Sequence, residues 1–255
     1  MNDPTLRRLD RDGRLHPWGP GIHLATGIAR FYGLAIANTT AVIELQAPGE
    51  LLVWNPIALT EELRASLAAL EGATGRRVSV LLCALDYHHF VIGAWQQAFP
   101  EARTFLVSER IRQQQPHVRG EVLDGDHPVL PGCEADIALL SARGFLQPVI
   151  ERSPQWRGGP RREWLVLHRP SRSLLIGDLL FLNARLSWVE RVLLRQQVGF
   201  TWNKAGFRPG DAAARGAFLE ELLAWDFEQA LTVHGRATAH GAESIRGALR
   251  GVFGM

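Results

Sequence analysis

"CALDYHHFVIGAW", residues 83–95, holds the only adjacent pair of histidines in the chain, His88 and His89. Asp86 stands two residues before the first of them, and the run "VSVLLCAL" (78–85) leads in with mostly apolar residues. A run of that length suits a strand buried on both faces. After it, "FVIGAWQQAF" reads as a helix up to Pro100, and "ARTFLVS" as a further strand. Asp86 and the two histidines therefore fall at the C-terminal end of a buried strand, where open α/β sheets place their ligands. From these residues alone the stretch is either a cluster of metal ligands or a helix start that carries two imidazoles.

Upstream, "GIHLATGIARF" (21–31) and "LAIANTTAVIELQ" (34–46) are apolar or alternating and rich in β-branched residues. The turn "APGE" separates them from "LLVWNP", so the first third reads as an antiparallel meander. Residues 59–70, "LTEELRASLAAL", have helical spacing, with Thr60 placed to cap and Glu61 and Glu62 in the first turn.

Downstream, the stretch 109–160 is the least regular, rich in Gln, Pro, Gly and Arg, with short apolar pieces at "ADIALL" and "FLQPVI". From Glu163 regularity returns: "EWLVLH", the turn "RPSR" and "SLLIGDLLF" predict two strands, the second ending on Gly177 and Asp178. His168, Arg169 and Ser171 then lie at a polar hairpin tip, with an anion site as the alternative. Residues 186–198 have an apolar helical face. A helix follows Asp211 as its cap, "ALTVHG" is a short strand ending on His234, and residues 242–252 form a last amphipathic helix. Two runs of strand, helix, strand, helix predict two sheets covered by helices on the outside.

The 255 residues are 46% hydrophobic and 21% charged, an ordinary globular balance. A formal charge of +2 is too small to imply a nucleic-acid partner. One lysine, Lys204, among 28 basic residues points to a GC-rich bacterial genome. Two cysteines, Cys83 and Cys133, cannot build a disulfide framework or a thiolate zinc site, and they fit a reducing cytoplasm. The N-terminus lacks the apolar core of a signal peptide, and no stretch approaches the ~20 apolar residues that span a bilayer. A cytoplasmic protein without a membrane partner is expected; oligomeric state is not legible.

Three apolar strands thus end in Asp or His: the one before Asp86, His88 and His89, the one before Asp178, and the one before His234. Imidazole and carboxylate are ligands that zinc, iron and manganese accept, and a carboxylate such as Asp178 can bridge two ions.

In that order these landmarks resemble the metallo-β-lactamase fold. Asn38, Thr39, the apolar residues 42–45 and the stretch 49–55 match its opening meander. The stretch 83–95 matches the place of its His-x-His-x-Asp-His motif, residues 177–181 its "GD…LLF", and His234 with Gly235 its closing "HG". The resemblance covers nearly the whole chain and implies a single four-layer αββα domain over residues 1–255. It also shows a departure. With His89 on the motif's last histidine, Ala84 and Asp86 stand where its first two belong, and His88 stands where its aspartate belongs. The pattern "HH…W…FP.A" with "H.PSR.LL..D" further resembles a divergent branch of this fold whose metal motif is altered.

The resemblance implies His89, Asp178 and His234 as metal ligands, with Asp86 and His88 as chemically possible ligands of changed identity, in a metal-dependent hydrolase around one or two ions of zinc, iron or manganese. His88 is alternatively the general base beside a single ion. The competing expectation is a non-catalytic member of the fold, without metal, that binds a small molecule or a protein partner. A metal-free His89–Asp178 pair is a third possibility, lacking a nucleophile. Substrate is not legible.

Overall fold

The structure, a computed structural model, describes residues 6–31, 34–47, 49–147, 159–160, 162–183, 198–203, 206–234 and 237–254. After a first strand β1 (Leu6–Arg8), the chain builds a seven-stranded sheet in sequence order. Its members are β2 (His16–Gly19), β3 (Ile22–Phe31), β4 (Leu34–Glu44), β5 (Glu50–Trp54), β6 (Arg77–Cys83), β7 (Arg103–Leu106) and β8 (Glu121–Val122). β2 to β5 form the expected antiparallel meander, and β5 to β8 run parallel. The eight-residue apolar run supplies β6, hydrogen-bonded on both edges, with Leu82 paired to Trp54 on one side and Phe105 on the other.

Parallel neighbours need crossovers. Here they are α1 (Glu61–Thr74), α2 (Ile92–Ala98) and α3 (Glu109–Gln114). Thr60 caps α1 by accepting the Leu63 N–H, and Gly75 closes it in the left-handed conformation at φ 68°. Leu63 and Leu67 of α1, Trp95 of α2 and Ile111 of α3 all pack on this sheet.

The second sheet is assembled from β9 (Ile137–Ser141), β12 (Trp164–His168), β13 (Ser173–Ile176), β17 (Gln229–Thr232) and β18 (Ala237–His240), with β1 on its edge. Smaller sheets join β10 (Phe145–Gln147), β11 (Gly159–Pro160) and β16 (Arg208–Pro209), and β14 (Leu180–Asn183) with β15 (Gly199–Trp202). Strand alternation in the second sheet makes two cores. Trp164, Val166, Leu175 and Leu231 face the first sheet, whereas Leu165, Leu167, Leu174, Ile176 and Ala230 face away. That outer face is covered by α4 (Ala212–Ala224) through Phe218 and Leu222, and by α5 (Ala242–Phe253) through Ile245 and Leu249. Asp211 caps α4 as its sequence predicts, accepting from Ala213 and Ala214. The layer order is helix, sheet, sheet, helix.

The helical face read at 186–198 lies almost wholly outside the described residues, as do Trp156 and Trp188. Trp54, Trp95 and Trp164 are buried, and so are both cysteines. His168 ends β12 at the hairpin as read, but it is fully buried and not part of a solvated tip. No described helix is long and apolar enough to cross a membrane.

Candidate metal centre

The loop after β6 is stapled to the segment before β12. Trp164 N–H donates to the Ala84 carbonyl at 2.9 Å, and Asp86 N–H donates to the Arg162 carbonyl at 3.3 Å. His88 leaves this loop at the edge where β13 ends in Gly177 and Asp178 and β17 runs on to His234. The three strand ends converge there. His88 Nε2 lies 3.0 Å from Asp178 Oδ1 and 3.2 Å from His234 Nε2, and His234 Nε2 lies 3.1 Å from the same carboxylate oxygen. All three side chains are largely buried, and the two imidazole rings are 4.8 Å apart.

His234 and Asp178 are held from behind. His234 Nδ1 is 2.8 Å from the carbonyl oxygen of Ala37 in β4. A carbonyl only accepts, so Nδ1 carries the proton and the Nε2 lone pair faces the cluster. Glu163, buried just before β12, accepts the N–H groups of Gly177 at 2.9 Å, Asp178 at 2.9 Å and Leu179 at 3.1 Å. Asn203 donates to the Asp178 carbonyl at 2.9 Å. Gly177 is required by close approach: a Cβ there would sit 2.1 Å from Leu85 Cδ2. Burial opposes ionisation of Asp178, but the His88 and His234 imidazoles more than offset it and hold its carboxyl well below the usual range.

Asp86 and His89 lie outside this trio. The Asp86 carboxylate accepts from Ser108 Oγ through one oxygen and from Arg162 N–H through the other, at 3.2 Å, which ties the loop to β7 and to the approach to β12. His89 is buried against Phe90, and its Nδ1 accepts from Gln115 Nε2 at 2.5 Å. Burial pushes its pKa down to about 4. The cysteines supply no thiolate, since burial pushes Cys83 up to about 12 and Cys133 to about 11. Among the described residues, His88, Asp178 and His234 are the one group of three or more such side chains with ligand atoms close enough to share an ion, all within 4.8 Å.

The donor set fits a cation. His234 Nε2 and Asp178 Oδ1 are both acceptors yet stand in contact, an arrangement that needs a cation or a shared proton between them. Ligand atoms around a tetrahedral zinc at ~2.0–2.1 Å stand about 3.3 Å apart, close to the three separations here. Sequence reading did not find Glu163, Asn203 or the Ala37 carbonyl. Glu163 had one faint signal, a lone acid directly before the apolar run 164–167; a backbone carbonyl has none.

No family model matches the chain, and no curated protein does. Solved structures do. A metallo-β-lactamase from Erythrobacter litoralis superposes with a TM-score of 0.60 at 10% identity, over 96% of this chain and 100% of that one. The metallo-β-lactamase FIM-1 from Pseudomonas aeruginosa, in its mono-zinc form, gives 0.59 at 10% identity over 99% and 96%. DIM-1 metallo-β-lactamase exposed to ceftazidime gives 0.59 at 12% identity over 97% and 98%. At such identities the likeness is one of fold: this chain has the metallo-β-lactamase fold.

Proposed function

We propose that a protein of this fold, with His88, Asp178 and His234 converged at one sheet edge, is a metal-dependent hydrolase built around one divalent ion, zinc first, with manganese and iron as alternatives. The three-atom cluster carries the reading. Two imidazoles and one carboxylate form a donor set of the kind that catalytic zinc uses, leaving a fourth position for water or substrate. When bound, such an ion supplies Lewis acidity and lowers the pKa of a coordinated water toward neutrality.

The chain's own residues do the rest. His88, Asp178 and His234 hold the ion; Ala37 fixes the His234 tautomer, and Glu163 and Asn203 fix the turn that presents Asp178. Phe181, with its ring centroid 5.8 Å from that of His234, shields one flank of that ligand from water. Ala84 and Asp86, standing where the fold's motif has two histidines, give no second set of imidazoles, which favours one ion over two. Esters, amides, thioesters and phosphoesters all fall within this chemistry.

The test is metal analysis of untagged protein purified without chelator. About one equivalent of zinc, manganese or iron is expected, lost in Asp178→Ala and in His234→Ala, with metal-dependent turnover of at least one chromogenic ester, thioester or phosphodiester. Metal-free protein whose melting temperature ignores added Zn²⁺, Mn²⁺ and Fe²⁺ would sink the proposal, because a ligand of the native state must stabilise it.

A further inference from the structure

Glu163 and Asn203 fix the turn that carries Asp178, and a threonine does the same for His234. Thr232 ends β17, in register with Ile176 of β13. Beyond it the chain passes from one sheet to the other. Val233 N–H donates to the Ile176 carbonyl at 2.9 Å in the second sheet, and the Val233 carbonyl accepts from Thr39 N–H at 3.0 Å in β4. The Thr232 side chain is buried, and its hydroxyl makes two bonds. Leu182 N–H of β14 donates to Thr232 Oγ1 at 3.1 Å, and the hydroxyl donates to the carbonyl oxygen of His234. Both directions are fixed, because a backbone N–H only donates and a carbonyl only accepts. One oxygen therefore joins β14 to the residue that carries the ligand.

β14 meets the site at two more points. Phe181, the neighbour of Leu182, flanks the His234 ring. β14 pairs with β15 from Leu180 and Trp202 to Asn183 and Gly199. Directly after β15, Asn203 donates through its side chain to the Asp178 carbonyl at 2.9 Å and through its N–H to the Leu179 carbonyl at 3.1 Å. The β14–β15 pair thus reaches both ligands of the second sheet, Asp178 through Asn203 and His234 through Thr232.

We propose that Thr232 is a positioning residue of the metal centre, whose hydroxyl sets the turn that presents His234 and couples this ligand to the β14–β15 pair. The proposal rests on the metal-site reading above, yet the hold on the ring acts in the metal-free chain as well. Local hydroxyl bonds of this kind direct a backbone where its strand ladder stops. Valine has the shape of threonine, but in its place the buried Leu182 N–H loses its acceptor and the His234 carbonyl loses this donor. The turn then relaxes and carries the imidazole away from His88 and Asp178.

Thr232→Val, which keeps the shape, and Thr232→Ser, which keeps the hydroxyl, test this in the full chain. Zinc affinity, read by competition with a chromogenic chelator, is expected to fall ~10–100-fold in Thr232→Val and to stay within about threefold of wild type in Thr232→Ser. The visible absorption of the Co²⁺-loaded protein, which follows ligand geometry, should change with valine and return with serine. In metal-free protein the nuclear Overhauser contact between the His88 and His234 rings, 4.8 Å apart, should weaken in Thr232→Val alone. If Thr232→Val does not fold, Thr232→Ala, which leaves room for water at Leu182 N–H, takes its place. Wild-type protein that binds no metal removes the metal reading and leaves the ring contact to decide this one. An unchanged ring contact without the hydroxyl overturns the proposal. So does a serine variant that loses as much as valine, or a metal-binding wild type matched in zinc affinity by Thr232→Val.

Discussion

The buried carboxylate of Glu163 accepts the backbone N–H of Asp178 at 2.9 Å and the N–H groups on either side of it. One side chain thus replaces the strand partners that β13 loses where it ends. It also fixes the direction in which Asp178 leaves the backbone, toward His88 and His234.

Replacing Glu163 by Gln keeps one acceptor and introduces an N–H₂ facing backbone N–H groups. The variant is expected to lose about 2–3 kcal/mol in urea unfolding. Under the proposed function it also loses ~10–100-fold in metal affinity. An unfolding midpoint equal to wild type would remove Glu163 from this role.

At Gly177 a single methyl meets Leu85 Cδ2 at 2.1 Å, Leu85 Cγ at 2.7 Å and Glu163 Cδ at 2.8 Å. Gly177→Ala is expected to destabilise by at least ~1–3 kcal/mol, the cost of overpacking a filled core. Leu85→Ala removes two of the three clashes. The double variant should therefore lose less than the sum of the singles, and additive losses would contradict the contact.

Asp86 and Asp178 separate structure from metal binding. Asp86→Asn weakens the bonds from Ser108 and Arg162 and should cost about 1–3 kcal/mol while leaving metal content unchanged. Asp178→Asn should do the reverse: lost metal, with a smaller change in the stability of the metal-free chain. Equal metal loss in both variants would place Asp86 among the ligands after all.

Acid should act through His89 and His168, whose folded pKa values are lowered to about 4, chiefly by burial. Between that value and the unfolded ~6.5 the unfolded chain binds more protons, so stability is complete above pH ~6.5 and falls as pH drops toward 4. At pH 5 each histidine contributes a loss of about 2 kcal/mol. Denaturant midpoints measured between pH 7 and 5 check this, and His168→Gln should flatten the slope. A slope unchanged in that variant would mean that His168 titrates normally.

Local chemistry explains what was legible in the chain. The apolar run before Ala84, the caps Thr60 and Asp211, and the Gly177–Asp178 pair all act within a few residues, so their spelling predicts their structure. The direction of a side chain is different. Asp86 turns away from His88 because Ser108, 22 residues later, and Arg162, 76 residues later, meet its two oxygens. His168 is buried rather than exposed because Gln229, 56 residues beyond Ser173, completes its hydrogen-bonded backing. Such partners are set by sheet order, which no window of sequence contains.

His88 follows a strand of the first sheet, whereas Asp178 and His234 follow strands of the second, and His88 and His234 are 146 residues apart in the chain. A cation shared by these three would therefore act as a clasp across the mouth of the sandwich. It would close a loop long enough that, as a covalent cross-link, its closure would be worth on the order of 4–5 kcal/mol. With the clasp undone, the two lips are left to hydrogen bonds alone, from the His234 imidazole and the Val233 carbonyl to β4 and between the Ala84–Asp86 loop and the approach to β12.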